Sequence, residues 1–514
     1  MRNNNHKKVK IEIMDTTLRD GEQTSGVSFT SSEKLSITQL LLKELLVPRV
    51  EVASARVSEG EHEAVKQICQ WASENGYIDC IEILGFIDKH NSINWIHEVG
   101  GKVVNLLAKG SLKHCMAQLG KSPEEHFADI KDEVLYAESL GMKVNLYLED
   151  WSNGIKHSSD YVFKLIDTLK DLPILRFMLP DTLGVFNPNQ VYGYGKRMVE
   201  RYPDLKFDFH AHNDYDFATA NSFAAGLIGF QGIHCTINGL GERAGNAPLS
   251  SVVAMIHDML HQETGIDEKK INKVSHIVES FSGVMVPGNK PIIGENVFTQ
   301  CAGVHADGDN KNNLYYNDLL PERFGREREY ALGKTSGKAN IKKNLESLGL
   351  KLTEDEIKKV TQRIIELGDK KEIVTPSDLP YIISDVLKHD FTHNKVKLIN
   401  YALSLSYGLR PTATVKIEIH GTEYQESAVG DGQYDAFVKA VRKIYNERLQ
   451  HDFPTLLNYA VNIPPGGRTD ALVQTAITWN YHEQEFKTSG LDADQTEAAI
   501  QATVKMLNKI ENLN

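Results

Sequence analysis

Residues 206–214 read KFDFHAHND. The alternation predicts a β-strand with Phe207, Phe209 and Ala211 on one face and Asp208, His210 and His212 on the other. Two histidines at i and i+2 on one strand point the same way and can hold one metal ion together. The alternative is a pair of histidines in a polar loop. Only ligands from elsewhere in the chain decide between the two.

Working outward, one pattern recurs from Lys10 to about Gln262: a short apolar stretch, then a longer stretch with helical period. The strand candidates are KIEIMD (from Lys10), RVEVASA (from Arg49), CIEILGF (from Cys80), KVVNLLAKG (from Lys102), KVNLYLED (from Lys143), LRFMLPD (from Leu175), KFDFHAH (from Lys206) and GIHCTINGL (from Gly232). A serine ahead of Glu33 and the proline at Pro188 read as helix starts. Eight βα units over about 250 residues predict a (β/α)8 TIM barrel. A doubly wound open sheet usually carries a glycine-rich phosphate turn after its first strand, and TTLRDGEQ at that place lacks one.

Barrels of this kind do their chemistry at the C-terminal ends of the strands. Here the first strand runs into Arg19 and Asp20, and the fifth ends in Tyr147, Glu149 and Asp150. The sixth ends in Asp181 and Thr182, the seventh carries His210 and His212, and the eighth opens into GLGERAGN, ending at Asn246. Asp20, His210, His212 and Asn246 make a mixed oxygen and nitrogen set suited to Mg²⁺, Mn²⁺ or Zn²⁺, with positions left for substrate. Such a cation can chelate a 2-oxo acid, and the permanent charge of Arg19 can stabilise an alkoxide developing on its keto oxygen. The glycines of GLGERAGN are expected to turn the chain tightly so that Asn246 faces inward.

Composition sets the outer bounds. The 514 residues are 41% apolar and 25% charged, with 57 Lys+Arg against 69 Asp+Glu. That size suits about three domains. The net charge of −12 argues against a nucleic-acid surface or an anionic membrane as the main partner. No apolar run approaches the roughly eighteen residues of a membrane span, and MRNNNHKKVK lacks the apolar core of a secretory signal. Five scattered cysteines without CxxC spacing fit a reducing, cytoplasmic setting rather than a disulfide framework.

DTTLRDGEQ (15–23), HAHND (210–214) and GLGERAGN (239–246), in this order on a barrel, resemble the isopropylmalate, homocitrate and citramalate synthase family. The likeness continues through VHADG (304–308), ALGKTSGKA (331–339) and a C-terminal domain, so it covers nearly the whole chain. It implies condensation of acetyl-CoA with a 2-oxo acid, a divalent metal on Asp20, His210, His212 and Asn246, a catalytic Arg19, and Thr182 on the substrate carboxylate. VASARVSEGE (52–61), LYLEDWSNG (146–154) and DGDNKNNLY (307–315) point within the family to the citramalate synthases, whose oxo acid is pyruvate. Isopropylmalate synthesis from 2-oxoisovalerate is the alternative. Leu84, Leu107 and Tyr147 are in phase to face the barrel mouth, where three bulky groups leave room for a methyl and crowd an isopropyl; ordinary barrel packing is the other reading. Glu149 is the candidate base inside the barrel, and His305 the second, by resemblance reaching into a partner subunit's barrel. Tyr330 matches a family tyrosine beside the site. Asp307, Asn313, Leu314 and Tyr315 are the implied acetyl-CoA contacts. A homodimer follows from the same resemblance.

Three domains are expected: the barrel over 1–265, helical linker subdomains over 266–392, and a regulatory domain over 393–514. The last shows two similar passes, each of alternating strands, a glycine-rich turn and a helix, and so predicts two βββα-like halves. The resemblance assigns this domain an amino-acid effector, isoleucine or alternatively leucine, with Tyr434 and Asp435 in its pocket.

Overall fold

The computed structural model describes residues 10–301, 308, 317–347, 350–369, 374, 376–387, 395–462, 473–482 and 484–513. They fall into two compact units. The first runs to Phe298 and takes in Asn317–Glu327; the second begins at Thr299 and holds the chain from Arg328 onward.

In the first unit eight parallel strands close into a barrel: β1 (Glu12–Asp15), β2 (Arg49–Ser54), β3 (Ile81–Phe86), β4 (Val103–Lys109), β5 (Lys143–Glu149), β6 (Ile174–Asp181), β7 (Phe207–Ala211) and β8 (Gly232–Cys235). β1 pairs with both β2 and β8, which seals the ring. The expected TIM barrel is therefore the observed one. Two local readings change. The first long helix, Ser31–Gln39, is capped by Thr30 rather than by a serine, because Thr30 and Glu33 form a reciprocal capping box. β7 ends at Ala211, so His212 lies one residue past the strand, held by a bridge to Asn246.

The outer faces of the strands pack on helices through Ile13, Val50, Ile83, Leu106, Leu146 and Phe209, all fully buried. The inside of the barrel is different. The strands place polar side chains there, among them Glu12, Glu51, Glu82, Asn105, Asn145, Arg176, Asp208 and His234. Hydrogen bonds join them with Arg49 and Arg19 into one network. Arg49 binds Glu82 and Asp208, Arg176 binds Asp208 and Glu12, and Asn145 donates to Glu82 and Asn105. Asn105 donates in turn to Glu51, which receives Arg19. A buried charge is tolerated only when paired and hydrogen-bonded, and here each has more than one partner. The network thus fixes the register of the strand ends that carry the site.

The second unit has three parts. Helices Lys338–Ser347, Glu354–Asp369 and Leu379–Leu387 pack around Ile341, Val360, Ile364 and Leu379. Two short strands, β9 (Thr299–Gln300) and β10 (Glu329–Tyr330), pair in parallel. The remainder is two antiparallel three-stranded sheets, β11 (Val396–Ser404), β12 (Thr412–Ile419), β13 (Thr422–Val429) and β14 (Thr455–Asn462), β15 (Val473–Tyr481), β16 (Gln484–Asp492). Each is followed by a helix, Gln433–Lys443 and Gln495–Leu513, and all share one core around Val415, Phe437, Trp479 and Met506. The register shifts at Leu398/Asn400 in β11 and at Leu456/Asn458 in β14, at the same place in LINY and LLNY, so the two halves repeat down to their bulge. The expected glycine turn precedes only the first helix. The second is entered through Asp494, which accepts from the amides of Thr496 and Glu497.

Candidate active site

Three of the four expected ligands meet at the barrel mouth. Asp20 Oδ2 lies 3.3 Å from His210 Nε2 and 3.8 Å from His212 Nε2, and the two Nε2 atoms are 3.4 Å apart. A triangle with these sides has a point about 2.0 Å from all three corners, the bond length that nitrogen and oxygen donors make to Zn²⁺ or Mg²⁺. All three residues are buried. Burial pushes the Asp20 carboxyl up, but the Arg19 guanidinium and the two imidazoles outweigh it and hold the group well below the ordinary carboxylate range. Burial pushes His212 down to about 4 against the pull of Asp20. An ionised carboxylate beside a neutral imidazole is the protonation state that ligation requires.

Asn246, the fourth expected ligand, adjoins the three. Its Nδ2 donates to Asp20 Oδ1 at 3.0 Å and to the Leu240 carbonyl at 3.1 Å. Its Oδ1 is buried with no hydrogen-bond partner. An unmet buried acceptor costs about 1–3 kcal/mol, so the residues present fit a cation here. The loop that carries Asn246 depends on its glycines. A Cβ on Gly245 (φ +85°) would lie 2.0 Å from the Gly239 carbonyl oxygen, and one on Gly241 (φ +155°) would lie 2.2 Å from Asn246 Nδ2. Arg243 pins the same loop to the one after β7 through two bonds to Asp214, at 2.8 and 3.0 Å.

Arg19 bonds Asp20 (2.8 Å), Glu51 (2.6 Å) and the Tyr147 hydroxyl (3.3 Å). It is thus both an ion-pair partner and part of the mouth. Leu84 and Tyr147 come together with Met14 and Met178 in a small apolar cluster inside the barrel, separate from the main core, with Leu107 against it. Glu149, at the end of β5, is ion-paired with Lys109. Thr182 accepts from the Asp150 amide at 2.9 Å, which leaves its own hydroxyl hydrogen free to donate.

His305, Asp307, Asn313, Leu314 and Tyr315 lie outside the described residues. Tyr330 belongs to β10 in the second unit. Tyr434 and Asp435 open the helix Gln433–Lys443 but face different surroundings. The Tyr434 hydroxyl meets Thr503 at 2.7 Å, whereas Asp435 accepts from the Asp431 amide and from Lys439. Among the described residues no helix is long and apolar enough to cross a membrane, and all five cysteines are unpaired.

Sequence reading missed Glu51, Asn105, Lys109 and His234, and put Asp208 on the histidine face without giving it a partner, although a signal for most of them was present. A parallel strand buried on both faces normally reads as an unbroken apolar run, so a lone Glu, Asn, Asp or His inside VEVA, VNLL, FDFH or GIHC marks an inward partner.

Comparison with known proteins agrees with this architecture. The HMGL-like family model matches residues 10–278, the homocitrate synthase post-HMGL domain-like model 292–372, and the LeuA allosteric (dimerisation) domain model 373–511. A 2-isopropylmalate synthase of Methanocaldococcus jannaschii is 33% identical, covering 98% of this chain and 95% of the relative. An (R)-citramalate synthase of the same organism is 32% identical, covering 98% and 100%. A 2-isopropylmalate synthase of Trichormus variabilis is 31% identical, covering 98% and 96%. With a barrel model over more than half its length and such relatives along nearly all of it, the chain belongs to the HMGL-like family, in the isopropylmalate, homocitrate and citramalate synthase group that its motifs resemble.

Proposed function

We propose that this chain condenses acetyl-CoA with pyruvate, with hydrolysis of the thioester, to give (R)-citramalate and free CoA. The observation that carries the reading is the meeting of Asp20, His210 and His212 beside Arg19, which itself bonds Tyr147 in the apolar wall that includes Leu84 and Leu107. Relatives of both names match at 32% and 33% identity, so identity does not choose the acceptor. The wall favours the smaller one: each misfitting methylene changes discrimination by about 1–3 kcal/mol.

A divalent cation (Mg²⁺, Mn²⁺ or Zn²⁺), held by Asp20, His210 and His212 with Asn246 beside them, supplies Lewis acidity toward the keto group when bound. Arg19 puts a fixed positive charge where negative charge develops on the keto oxygen. Thr182 donates its free hydroxyl hydrogen to the acceptor carboxylate. Glu149, oriented by Lys109, takes a proton from the acetyl methyl group, whose carbon then bonds to the keto carbon. His305 is the second candidate base. Asp307, Asn313, Leu314 and Tyr315 contact acetyl-CoA. The LeuA-type match supports a homodimer and an effector, isoleucine or alternatively leucine, near Tyr434 and Asp435. The division at residues 265 and 392 and a cytoplasmic location belong to the same reading.

Free-CoA release with a panel of 2-oxo acids, with and without isoleucine and leucine, tests it. Pyruvate should exceed 2-oxoisovalerate in kcat/KM by about 100-fold or more. Preference for the branched acid makes the protein a 2-isopropylmalate synthase instead. No release with any acid refutes the condensation.

A further inference from the structure

His234 is used by none of the roles above, yet it is fully buried on β8 at the centre of the barrel. Its Nε2 faces Asp208 Oδ2 at 3.2 Å, and its Nδ1 faces the Tyr147 hydroxyl at 3.1 Å. Asp208 is also held by Arg49 Nη1 at 2.6 Å and Arg176 Nη1 at 2.9 Å. Both guanidinium groups can only donate, so the Asp208 oxygens accept from them, and Oδ2 turns a further lone pair to His234. The hydrogen between Asp208 and His234 therefore sits on Nε2. Arg19 Nη2, at 3.3 Å, can only donate to the Tyr147 oxygen, so the hydroxyl hydrogen turns to His234 Nδ1, which accepts it. The arrangement has been given room: a Cβ on Gly232, two residues before His234, would fall 2.1 Å from Asp208 Oδ1.

The consequence reaches the pocket. Tyr147 is the one polar member of the apolar cluster with Met14, Leu84 and Met178. An aromatic ring fixed at its hydroxyl cannot swing aside to admit a larger acceptor. We infer that His234, backed by Asp208, is a positioning residue that locks the Tyr147 ring and so sets the width of the acceptor pocket. This rests on the reading of Tyr147 as a wall of the 2-oxo-acid pocket.

The test compares kcat/KM for pyruvate with that for 2-oxobutyrate, one methylene larger. In His234→Leu the ratio should fall about tenfold, mostly through KM, because a freed ring no longer excludes the extra carbon. Tyr147→Phe should lower it equally, and the double variant should add nothing. His234→Gln, whose amide can donate to Asp208 and accept from Tyr147, should restore most of the selectivity. A purely structural histidine would depress both acids alike and leave the ratio unchanged; that result, or additive losses in the double variant, overturns the inference. If His234→Leu does not fold, Tyr147→Phe and His234→Gln decide, the first lowering the ratio and the second keeping it. Orientation is read without turnover from ¹⁵N-histidine NMR of the full chain. One imidazole should show a protonated Nε2 and a hydrogen-bonded Nδ1 whose resonance moves in Tyr147→Phe. A resonance that stays put also overturns the inference, whereas a wild type inactive on every oxo acid sinks only the functional reading.

Discussion

Replacing Glu51 by glutamine keeps the shape of the side chain and breaks its logic. The carboxylate accepts three hydrogen bonds: from Thr16 Oγ1 at 2.8 Å, Arg19 Nε at 2.6 Å and Asn105 Nδ2 at 2.8 Å. Glutamine offers one oxygen and one NH₂. If the oxygen stays with Arg19 and Thr16, the NH₂ meets the NH₂ of Asn105. Asn105 cannot turn over, because its oxygen accepts from Asn145 Nδ2 at 2.9 Å. One buried donor is left unmet, at about 1–3 kcal/mol, and a charge-assisted bond to Arg19 is weakened by about 1 kcal/mol. The expected destabilisation is about 3 kcal/mol. Urea unfolding of the full chain measures it through tryptophan emission, since Trp71, Trp95 and Trp151 belong to the barrel unit and only Trp479 to the other. At a slope of about 3 kcal/mol per M, the barrel midpoint should fall by about 1 M. A second substitution repairs the defect. When Glu51→Gln is combined with Asn105→Asp, the new amide donates to the new carboxylate, which still accepts from Asn145, and the negative charge stays in the network. The double variant should regain all but about 1 kcal/mol. A single variant that loses less than about 1 kcal/mol, or a double variant no better than the single, refutes the donor-and-acceptor account of the barrel interior.

Other outcomes follow from the same structure. Burial pushes His126 down to about 4, and its Nε2 accepts from the Lys109 amide at 3.0 Å. The unfolded chain protonates this group near pH 6.5 and the folded one does not, so its stability is complete above about 6.5 and falls by about 3 kcal/mol as pH drops to 4; His126→Gln, which keeps an acceptor for that amide, should flatten this part of the midpoint-against-pH curve. Adding Mn²⁺ or Zn²⁺ to chelator-treated protein should raise the thermal midpoint, by about 2.7 kcal/mol of stability at 100 times the dissociation constant, and Asp20→Asn should abolish the rise; an identical rise in the variant excludes Asp20 as a ligand. Asp494→Ala removes the acceptor for two amides at the start of the helix Gln495–Leu513 and should cost about 1 kcal/mol in the unfolding transition that Trp479 reports.

The barrel and its mouth were legible because local pattern suffices for them. Strand period, helix starts and the order of DTTLRDGEQ, HAHND and GLGERAGN determine a (β/α)8 ring, and the ring's geometry brings Asp20 to His210 and His212 across 190 or more residues of chain. Side-chain pairing inside the ring is another matter. Arg49 reaches Asp208 159 residues away and Tyr147 reaches His234 87 away, across the barrel rather than along a strand. Sequence marks each of these as a polar residue in an apolar run, but it carries no account of which opposite strand supplies the partner. That depends on the stagger of eight strands closing on one another, and on which donor is left to face which acceptor once they do.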